Sequence, residues 1–208
     1  MEFTKYLLII VGSYLIGSIS FSVVMSKLMG GDIRSKGSGN AGATNMARVY
    51  GMIPGLLTLL LDALKAVLCV WAGEMLLGDV GLAVAGAACI LGHCFPIFHG
   101  FKGGKGVSVG CALAFMIDWR VFIAVMTVFF ICVFTSKKVS LGSICASTSI
   151  CLFGPLFGIA LPRILLGFFG AALIDVQHRA NIKRLIAGTE PDFKPAKREK
   201  RKKTGTNP

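Results

Sequence analysis

Along the chain, long apolar runs alternate with short polar stretches. The runs cover residues 6–26, 52–74, 80–98, 107–117, 121–135, 140–157 and 160–174. A segment crossing a bilayer alone needs about 20 apolar residues, and fewer where neighbours bury its ends. The runs therefore predict an all-α integral membrane protein. The fourth and fifth runs are short, and the "DWR" between them at 118–120 reads either as a tight turn or as the middle of one long helix.

Charge placement decides between these. With a turn at 118–120 there are seven spans, and the loops 27–48, 99–106 and 136–139 share a side with everything after 175. That side then holds Lys27, Arg34, Lys36, Arg48, Lys102, Lys105, Lys137, Lys138 and ten basic residues from Arg179 to Lys203, 18 of the 22 in the chain. Lys5, Arg120 and Arg163 fall opposite, and Lys65 lies within a span. The positive-inside rule thus predicts seven transmembrane helices with the N-terminus outside and the C-terminus cytoplasmic. The N-terminal run is longer than a signal-peptide core and lacks a clean cleavage site, so it reads as a retained first span.

Composition agrees with this reading. The chain is 54% hydrophobic and only 15% charged, with a mean hydropathy of +0.74, whereas soluble domains carry about 25% charged residues. A net charge of +12 would suggest nucleic acid in a soluble protein. Here it sits in loops and tail and points to anionic lipid or phosphate. Residues 1–190 form one membrane-embedded domain, and 191–208 read as a basic, disordered tail. The seven cysteines lie in or beside apolar runs without CxxC spacing and read as packing residues.

Three polar clusters face the predicted cytoplasmic side. The first is "DIRSKGSGNAGATNMAR" (32–48), with Ser35, Ser38, Gly39, Asn40, Asn45 and Arg48. The second, "HGFKGGKGVSVG" (99–110), brings Lys102, Gly103, Gly104, Lys105 and Gly106 directly before an apolar run. Glycines beside a lysine suggest backbone N–H groups wrapped around an anion, with the dipole of the following helix adding to them. Gly-x4-Gly-Lys is not met, because position 99 is His99 and Gly106 follows the lysine, so this is no Walker A loop. The third, "HRANIKRLIAGTE" (178–190), places His178 and Asn181 three apart on one helix face, followed by Arg184 and Glu190. Turn and capping chemistry accounts equally well for Ser38 and Asn40, and a terminal position for His178. Asp62 and Lys65, three apart inside a span, can pair on one face, as a structural ion pair or as part of a function.

HExxH, GxSxG, CxxC and carboxylate-rich loops are missing from the sequence, which speaks against metal hydrolysis and serine nucleophiles. No cofactor is expected, and no His is followed five positions on by Asp. Two classes remain: an interfacial enzyme acting on phosphates, and an organic-phosphate transporter or channel. Transporters usually carry internal repeats and broken helices at mid-membrane, whereas these clusters lie on one side.

"GSISFS", "DIRSKGSGNAGATNMARVYG", "DALKA", "GHCFPIFHGFKGGKGVSVG" and "HRANIKRLIAGTE" resemble, in order and spacing, the acyl-phosphate:glycerol-3-phosphate acyltransferases of bacterial membranes. The likeness runs from about residue 12 to 190. It implies a seven-helix enzyme of the bacterial inner membrane with its active site facing the cytoplasm. The reaction moves a fatty acyl group from acyl phosphate to the sn-1 hydroxyl of glycerol 3-phosphate, giving lysophosphatidate and inorganic phosphate. Its partners are those substrates, membrane lipids and an upstream enzyme that forms acyl phosphate, not nucleic acid. Carried over by residue, Ser38, Arg48, Lys105, His178 and Asn181 are catalytic. Ser35, Gly39, Asn40, Asn45, Lys102, Gly103, Gly104, Gly106, Ser140 and Ser143 bind substrate, and Glu190 supports the site. The general base is His178 or the substrate's own phosphate. Ser20, Ala66 and Ser108-Val109 depart from the family pattern, and Val109 is the departure expected to touch the site.

Overall fold

The computed structural model describes residues 2–196. Among them are nine α-helices: α1 (Glu2–Gly17), α2 (Phe21–Leu28), α3 (Ala43–Tyr50), α4 (Met52–Cys94), α5 (Val107–Ile117), α6 (Trp119–Ser136), α7 (Val139–Leu156), α8 (Leu161–Gln177) and α9 (Arg179–Ile186). Four helical stretches are long and apolar enough to cross a membrane: Glu2–Leu28, Met52–His99, Trp119–Ser136 and Val139–Leu156.

The 48-residue stretch from Met52 to His99 is not one rod. Leu77 and Gly78 leave helical geometry, Gly78 at φ +58. Gly73 and Gly81 would lie about 12 Å apart along a straight helix. Instead a Cβ on Gly73 would sit 2.4 Å from the Gly81 carbonyl oxygen. The two arms therefore fold back on each other with backbones in direct contact, a closeness only small residues permit. "DWR" is likewise a turn between two helices. Asp118 is extended and caps α6, its carboxylate accepting from the Arg120 N–H. Cys111 and Met126, about 22 Å apart on a continuous helix, bring their sulfurs within 3.8 Å.

Two expected elements differ in detail. The first run is broken at Ser18–Ser20, where Gly17 presses on the Cys89 backbone and the Ser18 hydroxyl donates to the Tyr14 carbonyl. The polar loop 27–48 ends in helix α3, whose Ala47 packs on Gly55 of α4. The core joins both arms of α4 to α5 and α8 through Val70, Leu82, Ile90, Val109, Leu113, Leu166 and Ile174. On the side away from α3, the Arg163 guanidinium binds Glu74 and Asp79 and donates to the carbonyl oxygens of Met116 and Ile117. One cation thereby ties three helix ends together.

The start of the basic tail is held to the α3 side. Phe193 N–H donates to the Lys137 carbonyl, Ala196 N–H to the Ala47 carbonyl, and Lys138 pairs with Asp192 at 2.9 Å. The remainder of that tail, 197–208, lies outside the described residues.

Candidate active site

The three polar clusters converge on one cavity of about 630 Å³. The first contributes Ser38, Gly39, Asn40, Thr44, Asn45 and Arg48, the second Lys105, and the third His178, Asn181 and Glu190. Ser140 and Ser143 of α7 complete the wall with His93, Ser108 and Arg184.

At its centre a chain of hydrogen bonds fixes Lys105. The Lys105 ammonium donates to the Asn181 amide oxygen at 2.5 Å. The Asn181 amide nitrogen donates to Glu190 at 2.7 Å, on the same carboxylate oxygen that accepts from Ser140 at 2.6 Å. The other Glu190 oxygen accepts from Arg184 at 2.6 Å. Burial pushes the Glu190 carboxyl up, but the bonds from Ser140, Asn181 and Arg184 outweigh it and hold the group below the usual range. Lys105 goes down to about 8, chiefly through burial and further through the charges of Arg184 and Arg48, with Glu190 opposing. Among the described residues Arg48 makes no ion pair.

His178, 3% exposed, lies between α8 and α9 with Nδ1 2.8 Å from the Ile174 carbonyl oxygen. A carbonyl only accepts, so Nδ1 carries the hydrogen and Nε2 of the neutral ring keeps a free lone pair. Burial first, and then the Lys105 charge, lower the His178 pKa and favour that neutral form.

Several expected ligands are occupied elsewhere. Gly103 N–H donates to the Cys94 carbonyl and Gly104 N–H to the His93 carbonyl. Both amides close the end of α4, so they do not wrap an anion. A Cβ on Gly103 would lie 2.1 Å from the His93 carbonyl oxygen, which explains the glycine by close packing. Gly106, at φ +85, turns the chain into α5. The first-turn amides of that helix, which have no intrahelical partners, open on the cavity through Val107 and Ser108. Lys102 and Ser35 are exposed and lie outside the lining; the Ser35 hydroxyl donates to the Asp32 carbonyl. Asn45 is spent on its own loop. Its amide oxygen accepts from the Ser38 N–H and its nitrogen donates to the carbonyls of Ile33, Lys36 and Asn40. Val109 is buried in the core and does not reach the cavity, whereas its neighbour Ser108 does. Position 108 carried no motif signal. Facing the cavity follows only from its place in the first turn of α5.

A second, apolar cleft of about 110 Å³ runs between α5, α6, α7 and α8. It shares Leu59, Val107, Ser108, Phe129 and Ser143 with the polar cavity and ends among Ile117, Val125, Ile150 and Leu166. A cationic basin and an apolar slot thus meet at common walls.

Comparison with known proteins agrees with this arrangement. The family model described as glycerol-3-phosphate acyltransferase matches residues 7–188. A glycerol-3-phosphate acyltransferase of Carboxydothermus hydrogenoformans is 42% identical over 179 residues, covering 86% of this chain and 91% of its own. A glycerol-3-phosphate acyltransferase 2 of Moorella thermoacetica is 44% identical over 187 residues, covering 89% and 96%. The fold is similar to a crystal structure of PlsY (YgiH), an integral membrane glycerol 3-phosphate acyltransferase, in its glycerol 3-phosphate form. That likeness has a TM-score of 0.87 and 37% identity over 91% of this chain and 96% of that one. The lysophosphatidic acid form superposes with a TM-score of 0.85. Matched along nearly its whole membrane domain in sequence and in fold, the chain belongs to the glycerol-3-phosphate acyltransferase family, multi-pass membrane enzymes of lipid synthesis.

Proposed function

We propose that this enzyme transfers a fatty acyl group from acyl phosphate to the sn-1 hydroxyl of glycerol 3-phosphate. The observation that carries the reading is the junction between cavity and cleft. Phosphate groups suit the basin of Lys105, Arg48 and the α5 N-terminus, while an acyl chain suits the slot between α5 and α8. The reacting carbonyl then lies at the shared walls near Ser108 and Ser143.

Acyl phosphate is a mixed anhydride and already activated, so the protein needs no covalent nucleophile. Positioning and charge stabilisation carry the reaction. The sn-1 oxygen attacks the acyl carbon, the bond from that carbon to the phosphate oxygen breaks, and inorganic phosphate departs. His178 Nε2, held as an acceptor by the Ile174 carbonyl, is placed to take the hydroxyl proton and pass it to the departing phosphate. Lys105 and Arg48 counter the charge on the phosphates. Ser38 and Asn40 add neutral donors at the rim, and Asn45 supports them by shaping their loop. Glu190 positions Asn181, and through it Lys105.

The orientation belongs to the same reading. With both arms of α4 and the helices α5 to α8 each crossing, and α1 with α2 forming one more span, there are seven crossings. The basic loops and the cavity then face the cytoplasm and the N-terminus lies outside.

Purified protein in lipid bilayers, given acyl phosphate and glycerol 3-phosphate, should form lysophosphatidate and release one inorganic phosphate per product. Equal turnover with a thioester as sole donor would overturn the donor assignment.

A further inference from the structure

Below the glycine loop lies a group of charged and titratable side chains that the reaction as described does not use. Asp62 is fully buried, and Lys65 and His93 are each 4% exposed. The Lys65 ammonium sits 2.8 Å from Asp62 Oδ1 and donates to the Ile19 carbonyl, exposed by the break between α1 and α2, at 2.5 Å. It also lies 3.2 Å from His93 Nδ1. The Asp62 contact is an ion pair without a directed hydrogen bond, and its Oδ2 has no partner.

These contacts fix the hydrogens on His93. An ammonium has donors only, so Nδ1 facing Lys65 must accept. The Asp62 carboxylate is 3.7 Å from Nδ1, beyond hydrogen-bond reach. The ring hydrogen therefore resides on Nε2. That nitrogen makes no hydrogen bond among the described residues, although His93 lines the polar cavity. Gly104 lies against it, and a Cβ there would stand 2.2 Å from Nε2. The missing side chain at position 104 keeps this donor uncovered. The buried polar side-chain atoms without a hydrogen-bond partner among the described residues are the two Asp62 oxygens, so Nε2 is open to the cavity. An N–H that an otherwise buried ring presents to a cavity is placed to meet water or a ligand.

We propose that His93 contacts substrate, its Nε2–H donating to a phosphate oxygen held in the cavity, with Lys65 as the positioning residue that sets its tautomer. The proposal rests on the cavity being the phosphate site argued above. It places a donor below the basin, opposite in hydrogen-bond sense to His178. The phosphate is that of glycerol 3-phosphate or that of the acyl donor, and both present the same chemistry to an N–H.

The full chain in bilayers contains three histidines, so ¹⁵N-histidine labelling gives a resolvable spectrum. His93 should show a protonated Nε2 and an unprotonated Nδ1, and its Nε2–H signal should move on titration with inorganic phosphate and with glycerol 3-phosphate. Lys65→Met should lose the single tautomer. In turnover, His93→Leu should lower kcat/KM on the order of 10²-fold, as expected for one oriented donor, and His93→Gln, which retains an N–H, should recover most of it. A loss confined to the KM of glycerol 3-phosphate assigns the contact to the acceptor, and one confined to acyl phosphate assigns it to the donor. The opposite tautomer, a signal unmoved by both phosphates, or equal loss in the folded Leu and Gln variants would overturn the proposal. The spectrum decides even where His93→Leu does not fold. It also separates this proposal from the choice of acyl donor, because phosphate and glycerol 3-phosphate are titrated without one.

Discussion

If Lys105 acts as a cation with a pKa of about 8, turnover should fail on the alkaline side far earlier than an ordinary lysine would require. The kcat/KM for glycerol 3-phosphate reports the free enzyme. It should be level up to about pH 7, fall to half at about 8 and to about a tenth at pH 9. The sign for stability is the reverse. The folded pKa lies below the ordinary 10.5, so the unfolded chain binds more protons between 8 and 10.5, and this group's contribution to stability rises across that window. Activity lost while the fold holds therefore separates Lys105 titration from alkaline unfolding. Glu190→Gln removes the charge that opposes the shift and frees Arg184 to add to it, so the alkaline limb should move below 8. The assay is initial-rate phosphate release across pH 6–10, corrected for spontaneous hydrolysis of the donor, with unfolding followed in parallel. A profile flat through pH 9.5, or an upward shift in Glu190→Gln, would refute the assignment.

Gly103→Ala should cost at least tenfold in turnover and lower the unfolding temperature, because its methyl meets the His93 carbonyl and the Pro96 ring; kinetics and thermal unfolding of one preparation check both. Ile117→Phe fills the far end of the apolar cleft and should shift preference toward shorter acyl phosphates, read by competing short and long donors in one reaction. Arg163→Ala removes the tie among Glu74, Asp79 and two backbone carbonyls and should cost about 1–3 kcal/mol, while leaving KM for both substrates unchanged, as denaturation midpoints and kinetics will show.

Much of the cavity lining was legible because polar residues in a chain this apolar have few structural reasons to be there. Ser38, Asn40, Arg48, Lys105, His178 and Asn181, drawn from three separate stretches, do share one cavity. The direction of each hydrogen bond was not legible. The amides of Gly103 and Gly104 read as anion ligands, yet they close the end of α4. Asn45 has the right chemistry for substrate, but its amide faces its own loop. His93 showed no motif spacing with Lys65, 28 residues away, and only the fold-back at Leu77–Gly78 joins them. Glu190 meets Ser140 across 50 residues. Local patterns identify which groups can bind; tertiary packing decides which of them still have a free donor or acceptor.

Charge accounting explains why the site combines so many neutral donors with few free cations. In the reaction proposed above, two phosphates bring roughly three to four negative charges. Arg184 is compensated by Glu190, both of whose oxygens are already occupied by donors and so present little to an anion. Lys105 and Arg48 remain as the uncompensated lysine and arginine of the lining. More fixed cations in so confined a space would repel one another; Lys105 already has its proton weakened by burial and by the two arginines. Donors without net charge add stabilisation without that penalty: the first turn of α5, the hydroxyls of Ser38 and Ser108, and the N–H of His93. The Ser143 hydroxyl is not among them, because it donates to the Val139 carbonyl. They stay ready while the site is empty, and arriving phosphate strengthens the hold of Lys105 on its proton. In the bound state the alkaline limit on kcat should therefore lie above the one on kcat/KM, and a kcat profile failing at the same pH would show that the phosphate does not contact Lys105.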